Sequence, residues 1–198
     1  NIVLKLPDAD KLKTSESDPD GYTKASINEV YNNTASFDIL YAAYVKYGVG
    51  KKTIIFNANS KINKNVFDYF RERNVNCMMY DSVNDNELSR SQIVQWFIDN
   101  DDAVLINANV FTTGFNVPEV ETILFNRATK SLTLYLQAAG RGARITDKIY
   151  KDKFTFVDLG QNISEHGTFS QERAWNEYFN SSERKRKTGV DLLKTWQC

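Results

Sequence analysis

The sequence has no surplus of either charge. Lysine and arginine total 25, aspartate and glutamate total 25, and the formal net charge is zero. A protein that coats nucleic acid through bulk positive charge is therefore excluded, although a local basic patch is not. No run of about 18 apolar residues occurs, so no membrane-spanning helix is expected. The opening residues, NIVLKLPDAD, have neither a charged n-region nor a long apolar h-region, and do not read as a secretory signal. A cytoplasmic location is expected. An initiator Met is also missing, and the chain reads as an excised fragment. Cysteine occurs only at positions 77 and 198. Cys77 lies in VNCMMY and reads as a buried thiol in a reducing compartment. The single histidine, His166, precedes a glycine and reads as a turn or packing residue rather than a catalyst.

What is present is an alternation of two periodicities. Residues 2–6 fit a short strand, and residues 7–21, rich in Asp, Ser and Lys with two prolines, fit a surface loop. Residues 26–47 carry apolar side chains at helical spacing and read as one helix. KKTIIFNA is a continuous apolar run, the mark of a buried parallel strand. Residues 60–73 return to helix, VNCMMY to strand, residues 86–100 to helix, and AVLIN and ETILFN to strand. Residues 131–144 form a helix and KFTFVDL a last strand. Residues 165–175 look loop-like, and SSERKRKTG looks like an exposed basic tail. This alternation predicts an α/β fold, a parallel sheet with helices on both faces. Its ligands are expected beyond the carboxyl ends of the strands. Three segments are expected: 1–24 as an N-terminal strand and linker, 25–160 as the main lobe, and 161–198 as an extension and tail.

One stretch raises a chemical question. QAAGRGAR, residues 137–144, puts two glycines inside a helix, where each costs about 1 kcal/mol relative to alanine. On a helical wheel Leu132, Tyr135, Leu136, Ala139 and Ala143 share one face. Gln137, Arg141 and Arg144 fall within about 60° of each other on the opposite face. Gly140 and Gly142 bring bare backbone beside that array, which suits close approach by a ligand or another domain. Two guanidiniums and an amide suit phosphate oxygens, because arginine is planar, bidentate and always charged. A solvated face paired with carboxylates is the competing reading of the same spacing.

QAAGRGAR resembles motif VI, Q-x-x-G-R-x-x-R, of the superfamily 2 helicases and translocases. NANVFTTGFNVPEVETILF resembles their motif V, and KKTIIFNANS their motif IV. FVDLGQNISEHG resembles the strand and His-Gly turn that follow motif VI in bacterial and phage members. The matching order spans residues 51–167. These are signatures of the C-terminal, RecA-like lobe. The first lobe's phosphate loop and Asp-Glu box do not appear. GVGKKT, residues 48–53, lacks the loop's glycine spacing and precedes a strand where such a loop must follow one.

The resemblance implies the second motor lobe of an ATP-dependent helicase or translocase. ATP and Mg²⁺ would be held mainly by an N-terminal lobe. Arg141 and Arg144 would act as arginine fingers, with Gln137 ordering them. Gly114 and Asn116 would lie near the nucleotide, Asn116 standing where many relatives have an acidic residue. Asn59, Ser60, Asn109, Thr112 and Thr113 would contact nucleic acid through short polar side chains. Ala108 stands where many relatives place a Thr that touches the strand. The expected partners are the chain's own N-terminal lobe and nucleic acid, DNA rather than RNA from the style of residues 115–118, with no membrane. Some relatives carry a Cys-x-x-Cys zinc element after a similar basic stretch, but Cys198 alone does not make one, and no metal site is expected. The alternative is a non-catalytic RecA-like module that binds nucleic acid or another protein.

Overall fold

The computed structural model describes residues 1–18, 21–81, 88–108, 120–144, 151–173 and 175. In chain order the elements are β1 (Ile2–Val3), a 3₁₀ turn (Ala9–Lys11), α1 (Lys24–Tyr31), α2 (Thr34–Tyr47) and β2 (Thr53–Asn57). They continue as α3 (Ser60–Arg71), β3 (Cys77–Tyr80), α4 (Arg90–Asp99), β4 (Val104–Asn107), β5 (Thr122–Asn126), α5 (Leu132–Gly142), β6 (Thr155–Asp158) and α6 (Asn162–His166).

The strands form one six-stranded sheet in the order β1-β6-β5-β2-β4-β3, and every pairing is parallel. β2, β4 and β5 are buried along their whole length, which is why they read as continuous apolar runs rather than alternating ones. Alternate residues divide between two cores. Ile55, Val104, Ile106, Leu124 and Val157 pack with α1, α2 and α3 on one face. Ile54, Phe56, Leu105, Ile123, Phe125 and Phe156 pack with α4 and α5 on the other. The predicted RecA-like α/β sheet with helices on both faces is what the chain forms.

The first strand joins this same sheet at its edge, beside β6, and Leu6 is fully buried in the first core. The single helix expected over residues 26–47 is instead two. Asn33 breaks it. Its side-chain oxygen accepts from Ser36 N at 3.0 Å and caps α2, while its amide donates to the carbonyls of Glu29 and Val30 that end α1. One side chain satisfies orphan groups of two helices, a competition that apolar periodicity does not register. The stretch expected to be loop-like, residues 165–175, begins with the last two residues of α6 and holds two buried polar residues, His166 and Arg173. Cys77 is buried, and burial pushes its thiol up to about 12.

Candidate functional site

α5 starts at the carboxyl end of β5, where Ser131 caps it by accepting from Leu134 N at 3.3 Å. It returns toward the amino end of the sheet, and its last residue, Gly142, packs against Phe154, immediately before β6. Its inner face, Tyr135, Ala138 and Ala139, is buried in the second core. Gln137 is exposed, and Arg144 is half-buried just past the helix end. Arg141 departs from the wheel. Expected on the face away from the sheet, it retains only 7% of its surface. A wheel separates the face toward the sheet from the face away from it, and shows no neighbour on the flank.

Arg90, the first residue of α4, is such a neighbour. Burial, then the positive charges of Arg144 and Arg90, hold the Arg141 guanidinium below its ordinary pKa. Arg141 of α5, Arg144 just past its end and Arg90 of α4 thus share one region. For Arg141 the setting is mixed, since the carboxyl end of α5 favours a cation. For Arg90 it is adverse, because the amino end of a helix disfavours one. That mismatch, a cation directly after the Ser89 cap, is the signal in the sequence that could have revealed Arg90.

The two glycines of α5 have different reasons. A Cβ at Gly142 would lie 2.2 Å from the Phe154 ring, so this residue is required by the chain's own packing. A Cβ at Gly140 would meet nothing within 4 Å. Of the two, only Gly140 leaves backbone open beside the arginines.

At the carboxyl edge, Asn59 caps α3 by accepting from Ile62 N at 3.0 Å and donates to Asn28 Oδ1 at 3.1 Å. Ser60 is the half-buried first residue of α3. Ala108, after β4, is buried. Gly114, Asn116, Asn109, Thr112 and Thr113 lie outside the described residues, as do residues 183–187 and Cys198. The structure therefore brings Arg141 and Arg144 together and sets Asn59 and Ser60 apart from them, at the other end of the sheet.

A buried brace joins the end of β6 to the segment that enters α5. Asp158 accepts from Gly160 N, Ile163 N and Asn162 Nδ2 at 2.7–3.0 Å. Burial raises its pKa, and these donors oppose that rise. Asn162 donates to the Arg127 carbonyl and accepts from Thr129 N. His166 stacks on Tyr135 at 5.4 Å. A carbonyl can only accept, so Nε2–H of His166 donates to Thr129 O at 2.7 Å. Burial lowers the pKa of this histidine. Arg173 donates to four backbone carbonyls, including that of His166. The expectation of a packing histidine holds.

The helicase conserved C-terminal domain family matches residues 35–146. This chain belongs to that family. As a helicase C-terminal lobe of superfamily 2, it is 25% identical over 191 residues to the 51.5 kDa protein of a Lactococcus phage, covering 96% of this chain and 40% of that protein. It is 26% identical over 151 residues to the putative ATP-dependent helicase IRC3 of Saccharomyces cerevisiae, covering 75% of this chain and 22% of the relative. The lobe thus spans well under half the length of either relative. Among solved structures, T4 UvsW matches with a TM-score of 0.57 at 19% identity, over 80% of this chain and 31% of that one. Domain 2 of the DEAD-box helicase Mss116p, bound to an RNA duplex, matches with a TM-score of 0.52 at 15% identity, over 80% of this chain and 53% of that one. These structural likenesses establish the fold. No helix among the described residues is long and apolar enough to cross a membrane.

Proposed function

We propose that this lobe is the second half of an ATP-driven motor acting on nucleic acid, and that its arginines complete an ATP site built mainly by an N-terminal lobe. The observation that carries the reading is the setting of Arg141. It is nearly buried, and the charges of Arg144 and Arg90 act on it with the same sign as its own. A triphosphate at the lobe's surface fits the donors present, two planar forks and the exposed amide of Gln137, and the missing Cβ at Gly140 leaves room beside them. Bound ATP supplies the phosphoryl group to be transferred. Arg141 and Arg144 would neutralise charge that develops on it, and Gln137 would order them. Gly114 and Asn116 are proposed nucleotide contacts on the family motif. Mg²⁺ is assigned to the N-terminal lobe.

Nucleic acid is assigned to the carboxyl edge, with Asn59, Ser60, Asn109, Thr112 and Thr113 as contacts. DNA is favoured over RNA by the Phe-Asn-Val-Pro run at residues 115–118, and a cytoplasmic location is proposed with it. Asn59 and Ser60 occupy the end of the sheet where open α/β folds receive ligands.

The test compares the 198-residue chain with the full-length protein. The full-length protein is expected to hydrolyse ATP and to do so faster with DNA. The chain alone is expected to be inactive. Robust DNA-stimulated hydrolysis by the chain alone sinks the two-lobe reading. Complete inactivity of the full-length protein leaves the alternative, a non-catalytic binding module.

A further inference from the structure

Three asparagines form a directed chain beneath the carboxyl edge of the sheet. Asn126, the last residue of β5, donates Nδ2 to Asn57 Oδ1 at 2.8 Å. Asn57, the last residue of β2, donates Nδ2 to Asn63 Oδ1 at 2.9 Å. Asn63, in the first turn of α3, donates Nδ2 to the carbonyl of Tyr80, the last residue of β3, at 3.1 Å. All three residues are at most 1% exposed. Every donor points the same way, so reversing the amide of Asn57 or Asn63 breaks the bonds on both sides of it. At the head of the chain Asn126 Oδ1 is buried and has no partner among the described residues.

Each member sits next to something the function uses. Asn57 precedes the 58–60 loop that holds Asn59 and Ser60. Asn63 lies one turn into the helix those residues start. Asn126 precedes the 127–131 segment that leads into α5 and its arginines. Branched apolar side chains would fill the same space without desolvating six polar groups. The chain carries amides instead, and their bonds span β5, β2, α3 and β3. With a free acceptor at one end and a fixed carbonyl at the other, the network has a polarity that ordinary packing lacks.

We propose that Asn126, Asn57 and Asn63 are positioning residues that couple the nucleic-acid loop after β2 to α5, which carries Arg141 and leads into Arg144. The inference rests on the motor reading above. A shift of the 58–60 loop on binding nucleic acid moves Asn57, and through it the end of β5 and the entry to α5. The relay touches neither ATP nor nucleic acid, and acts on how well one site reports to the other.

The test uses the full-length protein and measures ATP hydrolysis without DNA, then at saturating single-stranded DNA. Asn126→Leu cuts the relay at its head and Asn63→Leu at its tail. Each is expected to lower the DNA stimulation about tenfold, within the usual range for coupling between sites, while the DNA-free rate and DNA affinity stay within about twofold. The double variant is the decisive member, because residues acting through one relay are non-additive. It is expected to lose no more stimulation than either single variant. Unchanged stimulation in both single variants overturns the proposal. So does a double variant whose losses multiply, or a DNA-free rate that falls in parallel with the stimulated one. Asn126→Ser and Asn63→Ser replace any leucine variant whose melting shows that it does not fold. A wild-type protein that hydrolyses no ATP overturns the motor reading itself, and is recognised before any variant is made.

Discussion

Asn57, Asn63 and Asn126 at the carboxyl end of the strands, and Arg141 with Arg144 at the far end of α5, are polar groups held against the same packed sheet. The asparagines are neutral and donate to one another and to a backbone carbonyl. Burying them costs little once those bonds form. The arginines are charged, and the charges acting on Arg141 from Arg144 and Arg90 are of its own sign. The asparagine arrangement is complete within the lobe except at a single oxygen, and the arginines are the groups proposed above to meet ATP. The contrast sets neutral groups that bond to one another against like charges held close together.

The contrast is broken most severely by placing charge in the apolar core. Ala139 is 1% exposed in the second core, on the inner face of α5. Ala139→Asp buries an unpaired carboxylate there and is expected to cost more than about 4 kcal/mol. Loss of the cooperative thermal transition checks this; a melt close to wild type would place α5 elsewhere.

Next in size is Arg144→Lys in the full-length protein. It keeps the charge and loses the planar fork. If Arg144 stabilises charge in phosphoryl transfer, kcat falls at least about a hundredfold and KM for ATP moves little. The side chain is half-buried past the helix end, so stability stays within about 0.5 kcal/mol of wild type. A near-wild-type kcat removes the finger assignment. A melt as early as that of Ala139→Asp makes the residue structural.

The two glycines sharpen the comparison within a single turn. Gly142→Ala drives a Cβ into the Phe154 ring and is expected to destabilise by about 1–3 kcal/mol. Gly140→Ala meets open space and is expected to stabilise by about 0.5–1 kcal/mol. Chemical denaturation of both variants gives the signs directly, and equal signs would contradict the packing described.

The smallest effect comes from His166. Its folded pKa lies below the ordinary 6.5 because of burial. Between those two values the unfolded chain binds the proton and the folded chain does not, so stability rises with pH there. The melting temperature is expected to fall as pH drops below about 6.5, and to lose the histidine's contribution to that slope in His166→Gln. Since this is the only histidine in the chain, a variant with an unchanged slope below that pH would remove its buried neutral state from the account.

Much of this was legible beforehand because it depends on local pattern. The buried strands read as unbroken apolar runs, and the motif order from residue 51 onward carried the family. Asn33 ran against the pattern, since a single amide serving two helix ends leaves the apolar spacing intact. Gly142 was hidden for a different reason, and Arg90 showed only as a cation directly after the Ser89 cap. The constraint on each comes from residues distant in sequence, Phe154 for one and Arg141 for the other.

The sequence by itself determined the alternation of strand and helix and the closeness of Arg141 and Arg144 at the end of α5, while the helicase C-terminal lobe was legible through the resemblance of its motifs. The first two follow from periodicity and from spacings that a regular helix converts into geometry. Only the tertiary structure decided that Arg141 is buried beside Arg90, that Gly142 answers to Phe154, and that Asn57, Asn63 and Asn126 form one directed chain. Those facts depend on which elements become neighbours. Parallel crossovers bring together residues 69 positions apart, as in the bond from Asn126 to Asn57, and no local period records such a meeting.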